Sequence, residues 1–321
     1  MTAIALENRH AKTVKRCHFR SGSELGIIMG KSWETASVIA ISFVFANLTG
    51  CTETLDSPDL QAASSDQQSD TAAKKAANAE RSSGSLLHLA QDIEARGSVA
   101  TAVPLYERAA AANDADPTAW VLLGEAYLKV NRNSDSADAF RKALAKAPQD
   151  SRALFGLGSA LLRIGQVESA LATLEKAAPL VNVPQAYDKL GVAHVMNGQP
   201  REALASFEQA HSMDAGDPDI ATNLALAASL MGQYTRAIGL AQRTLSNSGI
   251  KPYHRRNLIL ALSISGESGQ AAAAGAGNLT PAEIQSLIDR AEKIRQMPEP
   301  ADRARALGTV RLASTAPKPN Q

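Results

Sequence analysis

Large apolar side chains return at a fixed interval through the middle of the chain. Leu89, Leu123, Leu157, Leu190, Leu224 and Leu258 stand 34 residues apart, with one interval of 33. Inside the interval from Pro117 to Asp150, Trp120, Leu123, Gly124 and Tyr127 recur at helical steps, and Phe140 and Ala143 do so again before Pro148. Steps of three and four place such residues on one side of a helix, so each interval predicts two amphipathic helices joined by a turn. Equivalent units open at Ser83, Pro117, Ser151, Pro184, Pro218 and Pro252. Proline suits a first helical position because its missing N–H would have no partner there. Asp116 and Asp217 precede two of these prolines as N-caps.

Numbering each unit from its first residue exposes further columns. Position 8 reads Ala90, Gly124, Gly158, Gly191, Ala225 and Ile259, and position 20 reads Ala102, Ser136, Ala170, Ala203, Ala237 and Ala271. Small residues in both columns predict a close approach of the two antiparallel helices. Position 15 is Gly97, Asn131, Gly165, Gly198, Gly232 and Gly266, the residue types that end a helix with positive φ. The period and its columns resemble the tetratricopeptide repeat. The fold class expected is all-α: a solenoid of five to six helix-turn-helix units with a C-terminal capping helix, over residues 83–297.

That cap is predicted from Thr280-Pro281-Ala282-Glu283, a capping box, followed by the apolar face Ile284, Leu287, Ile288, Ala291 and Ile294. The second helix of the last unit, Gln270 to Gly277, is almost all alanine and glycine, a poor repeat. Residues 298–321 have no periodicity and read as a disordered tail. Residues 52–82, rich in Ser, Ala, Asp and Gln, read as a disordered tether, since they carry too little apolar surface to offset ordering.

The front is different. Residues 36–48 form one apolar run, too short for a helix crossing a bilayer but of the length of a signal-peptide core. Leu48-Thr49-Gly50-Cys51 follows directly and resembles a bacterial lipobox, which implies a diacylated Cys51 as mature first residue and residues 1–50 as pre-sequence. Thr52 after the cysteine implies transfer to the outer membrane. Either Met1 or Met29 fits as the start: Met29 gives a shorter signal with Lys31, and Arg9, Lys12, Lys15, Arg16 and Arg20 would serve the longer one.

Composition adds mainly exclusions. The formal net charge is +1, and from Cys51 onward 27 basic face 29 acidic side chains, which is no footprint for nucleic acid. Two cysteines, Cys17 and Cys51, make no disulfide framework. Histidines 10, 18, 88, 194, 211 and 254 lack metal-ligand spacing, and His194 reads as a packed core residue. No phosphate loop or nucleophile motif occurs. The expectation is a non-enzymatic chain that takes no metal, cofactor or small-molecule substrate.

In tetratricopeptide arrays the first helices line the concave side through positions 2, 5, 9, 12 and 13. In this sequence that set includes Val121, Leu128, Phe155, Leu162, Val192, Val195, Met196, Leu226 and Leu230, interleaved with Glu125, Lys129, Arg152, Arg163 and Asp188. Position 9 lacks the asparagine with which chaperone-binding relatives clamp a free carboxyl terminus. An apolar or amphipathic segment of a partner protein is the expected occupant, with Phe155 as its central anchor. At positions 9 and 12, packing against the next repeat is an equal alternative.

The order of features also resembles one family. A lipobox, a polar tether and about five repeats are followed by His254-Arg255-Arg256-Asn257-Leu258-Ile259-Leu260-Ala261-Leu262 and the helix opened by Leu279-Thr280-Pro281. This is similar to the TadD lipoproteins of tight-adherence (Flp) pilus assembly. The resemblance implies an envelope assembly factor, lipid-anchored and facing the periplasm, with proteins of the pilus machine, the secretin among them, as partners. A general outer-membrane or cell-wall scaffold, or an accessory subunit of an envelope enzyme complex, remains open on the residues alone.

Overall fold

The structure is a computed structural model that describes residues 59–247 and 249–308. The lipobox residues Leu48, Thr49, Gly50 and Cys51, and both candidate start sites, lie outside the described residues. Fourteen helices and no strand occur among the described residues. Six hairpins follow one another: α1 (Asp59–Ala95) with α2 (Val99–Ala112), α3 (Pro117–Lys129) with α4 (Asn133–Lys146), and α5 (Ser151–Ile164) with α6 (Val167–Val181). Then come α7 (Pro184–Met196) with α8 (Pro200–Met213), α9 (Pro218–Leu230) with α10 (Tyr234–Leu245), and α11 (Pro252–Ile264) with α12 (Ser268–Gly275). Two single helices follow, α13 (Pro281–Arg295) and α14 (Pro300–Gly308).

Local chemistry sets the helix ends. Five first helices begin at the residues that open their units, and Asp116, Asp150 and Asp217 cap α3, α5 and α9 by accepting from backbone N–H groups at 2.8 Å. All six residues at position 15 have positive φ, Asn131 among them at 61°. The small columns act as expected. A Cβ on Gly124 would stand 2.8 Å from the Phe140 ring, and one on Gly158 would stand 2.6 Å from Leu174. Every residue at position 20 is buried, and the Ser136 hydroxyl donates to the Gly124 carbonyl at 2.8 Å.

Successive first helices lie side by side, α3 on α5, α5 on α7, α7 on α9 and α9 on α11. Each second helix packs on its own first helix and on the next one. Helix α13 covers α11 and α12 with Ile288, Ala291 and Ile294 buried, and so closes the array as a further first helix would.

Five expectations need correction. The tether at 52–82 is helical from Asp59 onward: α1 extends back through residues that include seven alanines and neither glycine nor proline, which favour a helix by propensity. The tail at 298–321 contains α14, with Ala304 and Leu307 fully buried, while residues 309–321 lie outside the described residues. Leu89 is 49% exposed, because its unit is the first among the described residues and no earlier described helix covers it. The capping box of α13 is half made. Thr280 Oγ1 accepts from Glu283 N at 3.3 Å, but the Glu283 carboxylate accepts instead from Arg256 at 2.7 Å. The poor sixth repeat is well packed, because Ile259 at position 8 faces Gly275.

Candidate protein-interaction surface

The row of first helices is the candidate surface, and the structure divides its predicted residues in two. Val121, Leu162, Val192, Val195 and Leu226 are buried between helices, as is Leu230. Adjacent first helices pack on one another, so Val192 and Leu226 at position 9 and Leu162 and Val195 at position 12 are covered by their neighbours, and Val121 at position 5 is covered too, while Leu128 at position 12 is not. These residues are core and not surface. Leu128, Phe155 and Met196 are half-buried against that core and retain accessible area. Among the predicted anchors, Leu128 and Phe155 are the pair that remains open on α3 and α5.

Polar groups run along the same row and link α1 to α3, α3 to α5, α7 to α9 and α9 to α11. Lys129 pairs with Glu94, and Arg152 Nη2 reaches both Glu125 carboxylate oxygens at 2.9 Å. Arg163 Nη1 donates to the Leu128 carbonyl at 2.8 Å, and burial lowers the pKa of its guanidinium. Asn223 Nδ2 donates to Asp188 Oδ1 at 2.8 Å, and His254 Nε2 meets Asp219 Oδ1 at 2.7 Å. Several partners are 35 residues apart, one repeat plus one residue, so the register that stacks the helices also sets the pairs. Five of these charged residues stand at groove positions in the sequence, but their pairing is visible only in the fold.

Asp188 is the outlier in this ladder. It occupies position 5, where Val121 and Phe155 stand in earlier units, and it is buried. Burial pushes its carboxyl up to about 6, against the opposing pull of Lys189 and the Asn223 hydrogen bond. His194 is buried as expected, with Nδ1 2.9 Å from Gln199 Oε1. No cluster of His, Cys, Asp or Glu that could hold a metal occurs among the described residues, and none of the described helices is long and apolar enough to cross a membrane.

The end of the row is covered by the chain itself. Helix α14 packs on α7 and α9, where Met196 and Leu230 were expected to line an open groove. Arg303 Nη1 donates to the Leu230 carbonyl at 3.1 Å, and a Cβ on Gly308 would stand 3.1 Å from Met196 Cα. Arg290 of α13 donates to the Ala306 carbonyl at 3.2 Å and braces α14 from the other side.

Comparison with known proteins agrees with this architecture. Tetratricopeptide-repeat family models match residues 87–129, 123–187 and 194–247. A curated relative, cellulose synthase operon protein C of Pseudomonas fluorescens (strain SBW25), is 27% identical over 179 residues. That match covers 52% of this chain but only 14% of the relative's length. Among solved structures, PilF of Pseudomonas aeruginosa aligns with a TM-score of 0.54 at 18% identity, over 65% of this chain and 97% of its own. PilW, described as a widely conserved type IV pilus biogenesis factor, aligns with a TM-score of 0.55 at 20% identity, over 64% of this chain and 98% of its own. At that identity the two structures share the fold. Residues 87–187 and 194–247 are thus tetratricopeptide repeats, and the hairpin of α11 and α12 continues the same array.

Proposed function

We propose that this chain is a non-enzymatic, lipid-anchored scaffold of the bacterial envelope that assists assembly of a tight-adherence (Flp) pilus machine. The observation that carries this reading is the order of features along the chain. The lipobox ending at Cys51 follows an apolar run, and the array that comes after it closes with Arg255-Arg256-Asn257-Leu258 and a capping helix. The fold shared with PilF and PilW supports it. Two acyl chains on Cys51 give stable attachment where one would be marginal. The anchor holds the array at the periplasmic face of the outer membrane, and the open part of the first-helix row, with Leu128 and Phe155, takes an amphipathic segment of a pilus-machine protein such as the secretin.

The test is made in the source bacterium. Deleting the gene should abolish surface pili, and Cys51→Ser should leave an uncleaved precursor and fail to restore them. Phe155→Ala should weaken capture of the secretin by about 2 kcal/mol. Normal piliation in the deletion strain overturns the reading. The match to cellulose synthase operon protein C favours a second reading, an accessory subunit of an envelope polysaccharide complex. A deletion strain that keeps its pili and loses surface polysaccharide would select it.

A further inference from the structure

Helix α14 has only nine residues, and isolated helices shorter than about 12–15 residues are marginal in water, so it is helical because it is docked. It packs on α7 and α9, and Arg290 of α13 donates to its Ala306 carbonyl. Ala304 and Leu307 are its fully buried side chains, and the link before it is Gln296 to Glu299. Arg303 ties the link down by donating to the Met297 and Pro298 carbonyls, at 2.7 and 3.0 Å, and reaches across to Leu230. A nine-residue helix with two fully buried side chains opens at a lower free energy than the core beneath it.

The seat under α14 differs from the second and third units in one respect. In the second and third units position 13 is a cation, Lys129 and Arg163, and Arg163 satisfies a carbonyl at the C-terminal end of α3. In the fourth and fifth units position 13 is Met196 and Leu230, so the row supplies no cation there. The C-terminal ends of α7 and α9 carry the negative end of the helix dipole. A guanidinium brought from outside the repeats, that of Arg303, takes the Leu230 carbonyl. Gly198 and Gly308 permit the close crossing: a Cβ on Gly198 would stand 2.8 Å from Arg305 Cγ.

We propose that the strip formed by the C-terminal ends of α7 and α9 is a docking site for an amphipathic helix of a partner protein, for which α14 is the resident substitute. The helix it takes carries arginine, then a small residue, then leucine three positions later, as in Arg303-Ala304-Arg305-Ala306-Leu307-Gly308. The inference rests on the scaffold reading above and gives it a second, regulated site: the partner enters by displacing α14.

Leu307→Asp in the full chain should release α14 and leave the repeats folded, as judged by unchanged helicity apart from one short helix. A labelled synthetic peptide spanning Glu299–Gly308 is then titrated by fluorescence anisotropy. The variant should bind it at least about tenfold more tightly than the wild-type chain, whose own helix competes at high effective concentration. Peptides carrying Arg303→Ala or Leu307→Asp should lose that binding. No binding to the folded variant overturns the proposal. Hydrogen exchange on the wild-type chain covers the case in which the variant fails to fold: α14 amides less protected than those of α11 and α13 support the proposal, and equal protection overturns it. A displayed library of helical peptides selected against the variant should enrich the arginine–small–x–x–leucine pattern, and enrichment of unrelated sequences overturns the partner chemistry. A wild-type chain that is dimeric through exchanged α14 helices would make a second copy the occupant and overturn it too. None of these readouts depends on pili, so their failure leaves the pilus reading to its own assay.

Discussion

The middle of the array and its C-terminal end solve the same packing problem in opposite ways. In the second, third and fourth units the first helix supplies a glycine at position 8, Gly124, Gly158 and Gly191, and the second helix supplies the bulk, Phe140, Leu174 and Phe207. In the sixth unit Ile259 stands on the first helix and Gly275 on the second, and a Cβ on Gly275 would lie 3.0 Å from Ile259 and 2.6 Å from Ile284 of α13. The volume is conserved while its source moves. Helix α12, with alanine and glycine along most of its length, cannot fill the space, so α11 and the capping helix reach in from either side. A repeat that looks degenerate by its own pattern is complete once its cap is counted.

That contrast breaks most clearly at Phe140. Its ring is fully buried, lies against Gly124 in its own unit and is closer still to the Cβ position of Gly156 in the next. Phe140→Ala should cost about 3–5 kcal/mol, as aromatic truncations in a core do. Because the ring joins two units, the loss should also uncouple the repeats on either side, giving a broader denaturant transition with a lower slope. Ile259→Ala, at the closed end, should lower the midpoint with the slope unchanged. A single sharp transition for Phe140→Ala, with a small shift in midpoint, would mean that the ring does not join the units.

The next effect separates position 5 of the second and third units, Val121 and Phe155, from the same position in the fourth, Asp188. Asp188 holds its proton more tightly when folded, with a pKa of about 6 against an ordinary 3.8. Its contribution therefore favours the folded state below pH 4 and is lost as the pH rises through 6. The buried carboxylate then costs on the order of 3 kcal/mol. Asp188→Asn keeps an oxygen acceptor for Asn223 and carries no charge. It should raise the melting temperature at pH 8 and leave it nearly unchanged at pH 4. A stabilisation equal at both pH values would remove the charge from the account.

How much of this was legible in the sequence follows from how local each cause is. Proline at N1, an aspartate before it and glycine or asparagine at the turn are demands of the backbone on single residues, so helix starts and the positive-φ column could be read directly. The small columns are periodic and could be counted. Helix α14 could not be read, because two buried side chains in nine residues make no period. The helical extension of α1 rests on alanine content, which has no period to read. Val121 and Leu226 show a third kind of limit. Their columns are right, but whether such a side chain faces solvent or a neighbouring helix depends on how closely successive units pack, which no single repeat encodes.

The smallest effect tests the join between array and cap. Arg256, at position 5 of the last unit, reaches Glu283 of α13 with Nε at 2.7 Å and Nη2 at 2.6 Å, a two-pronged contact that replaces half of the α13 capping box. Both side chains are partly exposed, so solvent screens the pair, and exposed pairs typically contribute about 0.2–1 kcal/mol. Arg256→Ala and Glu283→Ala, taken singly and together, should give a coupling energy within that range, carried by two guanidinium nitrogens that converge on Glu283 Oε1. The coupling should shrink as salt rises towards 1 M. Glu283→Gln should recover part of the loss, since its amide oxygen can still accept from Arg256. A coupling near zero at low salt would mean that α13 is held on α11 by Ile288, Ala291 and Ile294 alone, and that the cap is purely apolar.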